Sequence, residues 1–459
     1  MASMRGGMEF AEGEPVKLPP PPGSMASRTL QLTCASRPEV VAGQRVRAGQ
    51  MLAEPRDDRS GARLCPVDGT VRRIIPFDPQ AHADDPVQGE EQVASAGGDG
   101  AAGDGPARAR PGRWRYVVVV EPEDSRVPGT VATPPPQRHE GDAWLTTFRH
   151  TGPWLEYGLA FSLVEQLHAV RQRPSADATV ICVGLDQFPP YPVRSSLLAS
   201  FPDEAVLGTQ ILADLLGTTD RLMLATRHPR VLARLRHACR SYRLPLVAAH
   251  NTYPAADPTL VAWHHGPPRA RRLPHGTNPG TLGLVLITPW TAIRLARWSA
   301  SGRLDVVRPV LIAWPRARTP MTITWAMPGQ TLGSLDPALA GDAGQLHGRV
   351  VLGNPMTGRA PHAPHDGHDE QHYPPIVPDE ELLLSVLAPA PHQPAQPCIS
   401  CGWCVDVCPT RLVPYRLATD RLSHPDRIDV AHQLPWCIHC GLCSHVCPSH
   451  LPLAQALAT

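Results

Sequence analysis

The apolar and polar positions of this 459-residue chain change period several times along its length. From Thr29 to about Pro76 the pattern is strand-like. Val40-Val41-Ala42-Gly43-Gln44-Arg45-Val46 and Gly49-Gln50-Met51-Leu52 alternate around glycine turns, and Cys65-Pro66-Val67-Asp68-Gly69-Thr70-Val71 predicts a turn and a further strand. Strand pattern returns from Trp114 to Val120. Between these stretches, residues 79–112 hold Gly, Ala, Asp, Glu and Arg with almost no large apolar group. Such a segment buries too little surface to offset the entropy of ordering it, which predicts a disordered insertion. Residues 1–28 are rich in Pro and Gly and predict an extended arm, ahead of a β module over 29–125.

Residues 140–316 alternate between the two periods. Ala178 to Gly184 reads as a buried strand. Asp203 to Leu216 reads as a helix, with Leu207, Ile211, Leu212 and Leu215 at helical spacing. The alternation continues with strand Leu222–Ala225, helix Pro229–Ser241, strand Pro245–Ala249, strand Leu282–Ile287, helix Thr291–Ala300 and strand Val306–Ile312. This order predicts an α/β sandwich on a mostly parallel sheet. Residues 319–358 suit a small strand–helix–strand α+β module. A His- and Pro-rich linker over 359–378 follows. A helix from Asp379 to Leu387 then opens a helical C-terminal part that runs to 459. The expected fold class is therefore multidomain, α/β with α+β, and the length suits two to four domains.

Charge and composition narrow the function. The formal net charge is +1, which gives no global case for nucleic acid or an anionic surface as partner. Lys17 is the only lysine, so a phosphate loop ending in Gly-Lys-Ser/Thr is excluded downstream of it, as is a Schiff-base or lipoyl lysine. No run reaches the roughly 18 apolar residues that span a bilayer, and Leu282–Ile287 is soon interrupted by Pro289. Membrane association is expected through a partner or a surface. The start, Met1 to Gly7, has no apolar signal core, so a reducing compartment is expected, where clustered cysteines indicate metal.

Eight of the twelve cysteines fall between Cys398 and Cys447. Cys398-Ile-Ser-Cys401-Gly-Trp-Cys404-Val-Asp-Val-Cys408-Pro409 is followed by Cys437-Ile-His-Cys440-Gly-Leu-Cys443-Ser-His-Val-Cys447-Pro448. Both have the two-two-three spacing with trailing proline that holds [4Fe–4S] clusters in bacterial ferredoxins. Three closely spaced thiolates wrap three irons of a cubane, and the fourth cysteine crosses to the other cluster. By that rule one cluster takes Cys398, Cys401, Cys404 and Cys447, and the other takes Cys437, Cys440, Cys443 and Cys408. Gly402 and Gly441 let the backbone close around each cubane. A zinc ribbon is the alternative, but it uses separate Cys-x-x-Cys pairs rather than repeated four-cysteine runs.

Weaker signals lie elsewhere. Cys34, Cys65, Cys182 and Cys239 sit in apolar contexts and are expected in the core. His362, His365, His368 and His372, with Asp366, Asp369 and Glu370, could hold metal, but a solvated loop is favoured because no regular element fixes their geometry. Gly152 and Gly158 flank Trp154 and Tyr157 ahead of a helix through Leu167. That is a poor phosphate cradle and reads as a turn.

The order of parts resembles the C subunit of Rnf-type ion-translocating electron-transport complexes. More distantly, it is similar to the A subunit of the sodium-pumping NADH:quinone reductase. The resemblance rests on the 40–71 text, on Thr291-Ala-Ile-Arg to Gly302-Arg-Leu-Asp-Val-Val-Arg308, on Val350-Val-Leu-Gly-Asn-Pro-Met-Thr-Gly358 and on the two cysteine motifs. It implies a barrel-sandwich hybrid, a complex-I-like α/β sandwich, a β-grasp module of the soluble-ligand-binding type and a two-cluster ferredoxin domain. It also implies a peripheral subunit on the cytoplasmic face of the membrane, with membrane subunits and a ferredoxin or a neighbouring flavin or iron–sulfur subunit as partners. The family's glycine-rich flavin loop corresponds to Gly152–Phe161, where most glycines are gone. Its acidic stretch corresponds to Leu185–Tyr191, where only Asp186 is acidic. FMN and NADH are therefore not assigned to any residue. Three functions remain open: an electron relay through two clusters, which is preferred, an active NADH dehydrogenase subunit with FMN, or a soluble ferredoxin-like adaptor.

Overall fold

The computed structural model describes every residue except 1–6, 27–28, 35, 56–60, 77–115, 138–142, 153, 155–160, 174–176, 315–320, 336–349, 359–382, 388–392, 424–427 and 459. The proposed insertion at 79–112 and the histidine-rich stretch at 359–378 therefore lie outside the described residues.

The N-terminal sheet contains β1 (Leu30–Cys34), β2 (Arg45–Val46), β3 (Gly69–Pro76) and β4 (Tyr116–Pro122), in the order β1-β4-β3-β2, with every pair antiparallel. Strand periodicity sends alternate valines of β4 to opposite faces. Val118 and Val120 join the large core, while Val117 and Val119 pack with Ile75 in a small separate cluster.

The central unit is a parallel sheet of β5 (Thr179–Gly184), β6 (Arg221–Thr226), β7 (Leu246–Ala249) and β8 (Leu284–Ile287), in the order β7-β6-β5-β8. Every residue of β5 is buried, as expected of a parallel strand covered on both faces. Helices α1 (Ala143–His150) and α2 (Leu163–Arg171) precede β5. A capping box between Ser162 and Glu165 starts α2. Next come α3 (Val193–Ser200), α4 (Pro202–Leu216), α5 (Pro229–Ser241), α6 (Pro258–His265) and α7 (Pro289–Ser301). Helices α4 and α7 cross so closely that a Cβ on Gly208 would lie 1.8 Å from the Ala292 carbonyl oxygen.

The third sheet corrects two expectations. Its strands are β9 (Arg308–Ala313), β10 (Met321–Ala326), β11 (Val350–Leu352) and β12 (Leu383–Val386), in the order β10-β9-β12-β11. The strand read at Val306–Ile312 as part of the α/β alternation belongs to this sheet instead. The helix expected from Asp379 to Leu387 is also overturned, because Leu383–Val386 is a strand, parallel to β9 and antiparallel to β11. Its four residues are all buried, and a run that short has no period to tell a central strand from a buried helix.

The C-terminal unit has two short helical turns, Trp403–Asp406 and Leu442–His445, and helix α8 (Pro414–Ser423). Its core is small: Leu412, Leu417, Ala418, Val430, Leu453 and Leu457. The N-terminal residues run across the α/β unit. The Val16 and Leu18 amides donate to the Ser196 and Ser200 hydroxyls, and Gly13 N–H donates to the Pro189 carbonyl.

Gly208→Ala is expected to cost about 2 kcal/mol or more through overpacking at the α4–α7 crossing. Circular dichroism melting should then show a Tm lower by at least about 4 °C. An unchanged Tm would disprove the tight crossing.

Candidate metal centre

The two cysteine motifs fold alike, residue for residue. Ser400 and His439, each just before the second cysteine of its motif, have φ of 57° and 51°. Gly402 and Gly441 both have φ of 81°, and each leads into a helical turn. Arg411 and His450, each three residues past the fourth cysteine, have φ of 57° and 54°. Left-handed residues reverse the chain so that successive N–H groups face one side, a concavity suited to anions. Ser400 N–H donates to Cys398 Sγ at 3.4 Å, and Leu412 N–H donates to Cys408 Sγ at 3.3 Å.

Cys408, Cys437, Cys440 and Cys443 border one cavity, with Leu412, Leu442 and Leu457 among its apolar walls. Cys408 belongs to the first motif in sequence but stands with the second in space. Burial pushes the Cys437 thiol up to about 11 and the Cys443 thiol up to about 12, and raises Cys440 further. The neighbouring thiols, Cys408 among them, add to that rise, while the backbone N–H groups of His439, Leu442 and Ser444 oppose it. Cys404 is raised first by burial and then, to a smaller degree, by Cys401 and Cys398. The end of the second motif returns to the start of the first. Ser449 Oγ donates to the Pro397 carbonyl at 2.9 Å, and Gln396 N–H donates to the Ser449 carbonyl at 2.8 Å.

Among the described residues, no three His, Cys, Asp or Glu side chains converge as they would on a single ion. The cavity of four thiols, dry walls and inward N–H groups instead fits a thiolate-held cubane, whose sulfurs accept hydrogen bonds.

The second motif is seated on three other parts of the chain. Tyr253 Oη donates to the Cys440 carbonyl at 2.6 Å. A Cβ on Gly441 would lie 2.8 Å from the Met356 carbonyl oxygen, so the approach of the 350–358 turn requires glycine there. That turn is held by Asn354 Oδ1, which accepts from the Met356 and Thr357 amides. His439 packs on His275 at 5.4 Å, Trp436 on Trp263 at 5.8 Å and His445 on Phe10 at 6.4 Å between ring centroids. The first motif is open by comparison. Cys401 is exposed, Ile399 is 67% exposed and Trp403 is 54% exposed. Tyr253, His275 and Trp263 carried no signal in the sequence, and Met356 entered only as part of the Val350–Gly358 text, because each matters to this site only through what it touches across the fold.

The remaining sequence candidates have structural roles. Trp154, in the described part of the Gly152 loop, is buried. It stacks on Trp298 at 5.6 Å and lies under the Arg294 guanidinium at 4.5 Å. Residues 155–160 lie outside the described set. Asp186 is buried and caps α3, accepting from Arg194 N–H at 2.8 Å, from Ser195 N–H at 3.1 Å and from the Ser195 hydroxyl. Burial pushes its carboxyl up to about 6, against the pull of these donors. Phe188 and Tyr191 pack together, and Phe188 also packs with Phe10 and Tyr253. Cys34, Cys65, Cys182 and Cys239 are buried, as expected of core residues. The histidines 362, 365, 368 and 372, with Asp366, Asp369 and Glu370, lie outside the described residues.

Residues 397–451 match the family model described as a 4Fe-4S dicluster domain. This segment is thus a two-cluster iron–sulfur domain, with two [4Fe–4S] clusters as its cofactors. It is similar to the C subunit of ion-translocating oxidoreductase complexes, as the motif order implied. The relative from Serratia proteamaculans is 30% identical over 229 residues, 48% of this chain and 30% of that protein. The relative from Pseudomonas aeruginosa is 28% identical over 403 residues, 87% of this chain and 46% of that protein. The chain therefore spans less than half the length of these curated relatives. Among solved structures, a chain of the NAD+-reducing [NiFe]-hydrogenase in the H2-reduced state aligns with a TM-score of 0.42 and 14% identity, over 66% of this chain and 57% of that one. That likeness is too loose to bear on the chemistry.

Beside the second motif, buried Asp257 caps α6, accepting from the Thr259 and Leu260 amides, and burial pushes its carboxyl from the ordinary 3.8 up to about 7. A raised folded value means stability that is full below the unfolded value and is lost as pH rises through the folded one. Asp257→Asn keeps an acceptor and removes the charge. Its Tm relative to the parent should climb from pH 3.8 to about 7 and then level off. A flat difference across that window would overturn the buried-charge reading.

Proposed function

We propose that the chain is the electron-transfer subunit of a membrane-associated ion-translocating oxidoreductase complex and passes electrons through two [4Fe–4S] clusters. The observation that carries this is the four-thiol cavity lying within a segment that matches a dicluster domain. The similarity to the C subunits of such complexes supplies the assembly.

In this reading Cys437, Cys440, Cys443 and Cys408 hold one cluster and Cys398, Cys401, Cys404 and Cys447 hold the other. When bound, each cluster supplies one-electron transfer. The protein's part is to hold the thiolates, aim N–H groups at sulfur and keep water from the second site. Tyr253 fixes the Cys440 carbonyl, and so the loop that carries three of the four thiols. The roles of Trp154 in packing and of Asp186 in capping support a relay rather than an FMN-dependent NADH dehydrogenase. The N-terminal sheet is read as a barrel-sandwich hybrid, the parallel sheet as a complex-I-like sandwich and the third sheet as a β-grasp module. Among the described residues, no helix is long and apolar enough to cross a membrane. The proposed location is peripheral, on the inner face, against membrane subunits and a neighbouring redox protein.

Single Cys→Ser variants, reconstituted anaerobically, test the ligand sets. Cys408→Ser should lose the same cluster as Cys440→Ser, and Cys447→Ser the same as Cys401→Ser. Each should lower iron by about half and leave one electron paramagnetic signal. If Cys408→Ser matches Cys401→Ser instead, the crossed assignment fails. The full protein, tagged in its native host, should co-purify with membrane subunits, and recovery as a free soluble protein would sink the complex reading.

A further inference from the structure

Helix α5 lies between β6 and the edge strand β7, and its two faces could hardly differ more. Val231, Leu232, Leu235, Ala238 and Cys239 are buried against the sheet. The other face carries Arg230, Arg234, Arg236, His237 and Arg240, all exposed, and is extended by exposed Arg227 before the helix and Arg243 after it. Between Asp220 and Asp257 there is no Asp or Glu at all, although the whole chain balances 43 basic residues against 42 acidic ones. Among the described residues, an acidic partner is found only for Arg230, from Glu14 at 3.2 Å. Arg227 donates instead to His250 Nε2 at 2.7 Å, which leaves its charge unbalanced.

We infer that this face is a docking surface for a bilayer rich in anionic lipid. The inference rests on the proposal of a peripheral membrane location and adds the contact surface to it. Charge complementarity carries it. Thirteen residues at 1.5 Å each make a ridge of about 20 Å lined with guanidiniums. Clusters of Arg on one face of an amphipathic helix are drawn to anionic headgroups, and each contributes separately. A protein partner would need an apolar or aromatic anchor at the centre of its contact. None of the exposed large hydrophobic residues falls between 221 and 256. The apolar side of α5 is committed to the core, so nothing here inserts into the lipid. The contact is electrostatic, shallow and sensitive to salt.

The test is co-sedimentation of the full, cluster-loaded protein with vesicles. Binding should appear with phosphatidylglycerol-rich vesicles, be absent with phosphatidylcholine alone and fall as salt rises. Each Arg is expected to change partition on the order of fivefold, so Arg234, Arg236, Arg240 and Arg243 replaced together by Gln should weaken binding about a hundredfold or more. These side chains are exposed and lie outside the segment that carries the thiols, so iron content and visible absorbance should stay at the parent level. A control with Arg269, Arg271 and Arg272 changed to Gln should bind like the parent. Undiminished binding of the α5 variant, or tight binding of parent protein to duplex DNA without binding to vesicles, would overturn the inference. Loss of vesicle binding by the parent with membrane subunits still co-purifying would also refute it, while leaving the proposed function standing.

Discussion

Four thiols from two loops, some thirty residues apart, border one cavity, and the C-terminal unit is organised by that constraint. Neither loop alone supplies the set, since Cys408 sits with Cys437, Cys440 and Cys443. The paired left-handed residues are its local consequence, because the chain must reverse twice within each motif to turn amides and sulfurs to one side. Among the described residues, a core of six principal side chains is small for a folded unit, and units of that size generally draw stability from a bound metal group or from neighbours. Both are at hand here. The thiols can gain from a cofactor, and the loop is clasped by Tyr253, Met356 and His275.

The two motifs share a backbone but not an environment. The second is enclosed by the α/β unit, the 350–358 turn and the N-terminal residues. The first presents Cys401, Ile399 and Trp403 to solvent. Burial and hydrogen bonds to sulfur are the levers a protein has on an iron–sulfur potential. Two sites with the same local geometry are thus tuned differently by what surrounds them.

Open parallel sheets usually offer a ligand crevice beyond the carboxyl ends of their strands. Here that edge is taken up by the protein itself. Beyond β5, Asp186 is committed to capping α3, and Phe188 packs with Tyr253 and Phe10. Gly7 and Met8 cross the same edge, donating to the Val407 and Tyr253 carbonyls. The Leu185–Tyr191 segment is part of the packing that joins the α/β unit to the second motif.

The sequence by itself determined the chemistry. The spacing of eight cysteines and two prolines is a local property, and local geometry is all that a cubane-binding loop requires. It also determined long elements such as α4, α5 and β5, whose apolar period is fixed by their own residues. Only the tertiary structure decided which sheet a short strand joins. Arg308–Ala313 and Leu383–Val386 pair across some seventy residues, and a four-residue apolar run has no period that could reveal its partner. The residues that clasp the second motif were hidden for a related reason. Tyr253, His275 and Met356 act through a carbonyl, a ring face and a close backbone approach, each of which exists only once distant parts of the chain have packed together.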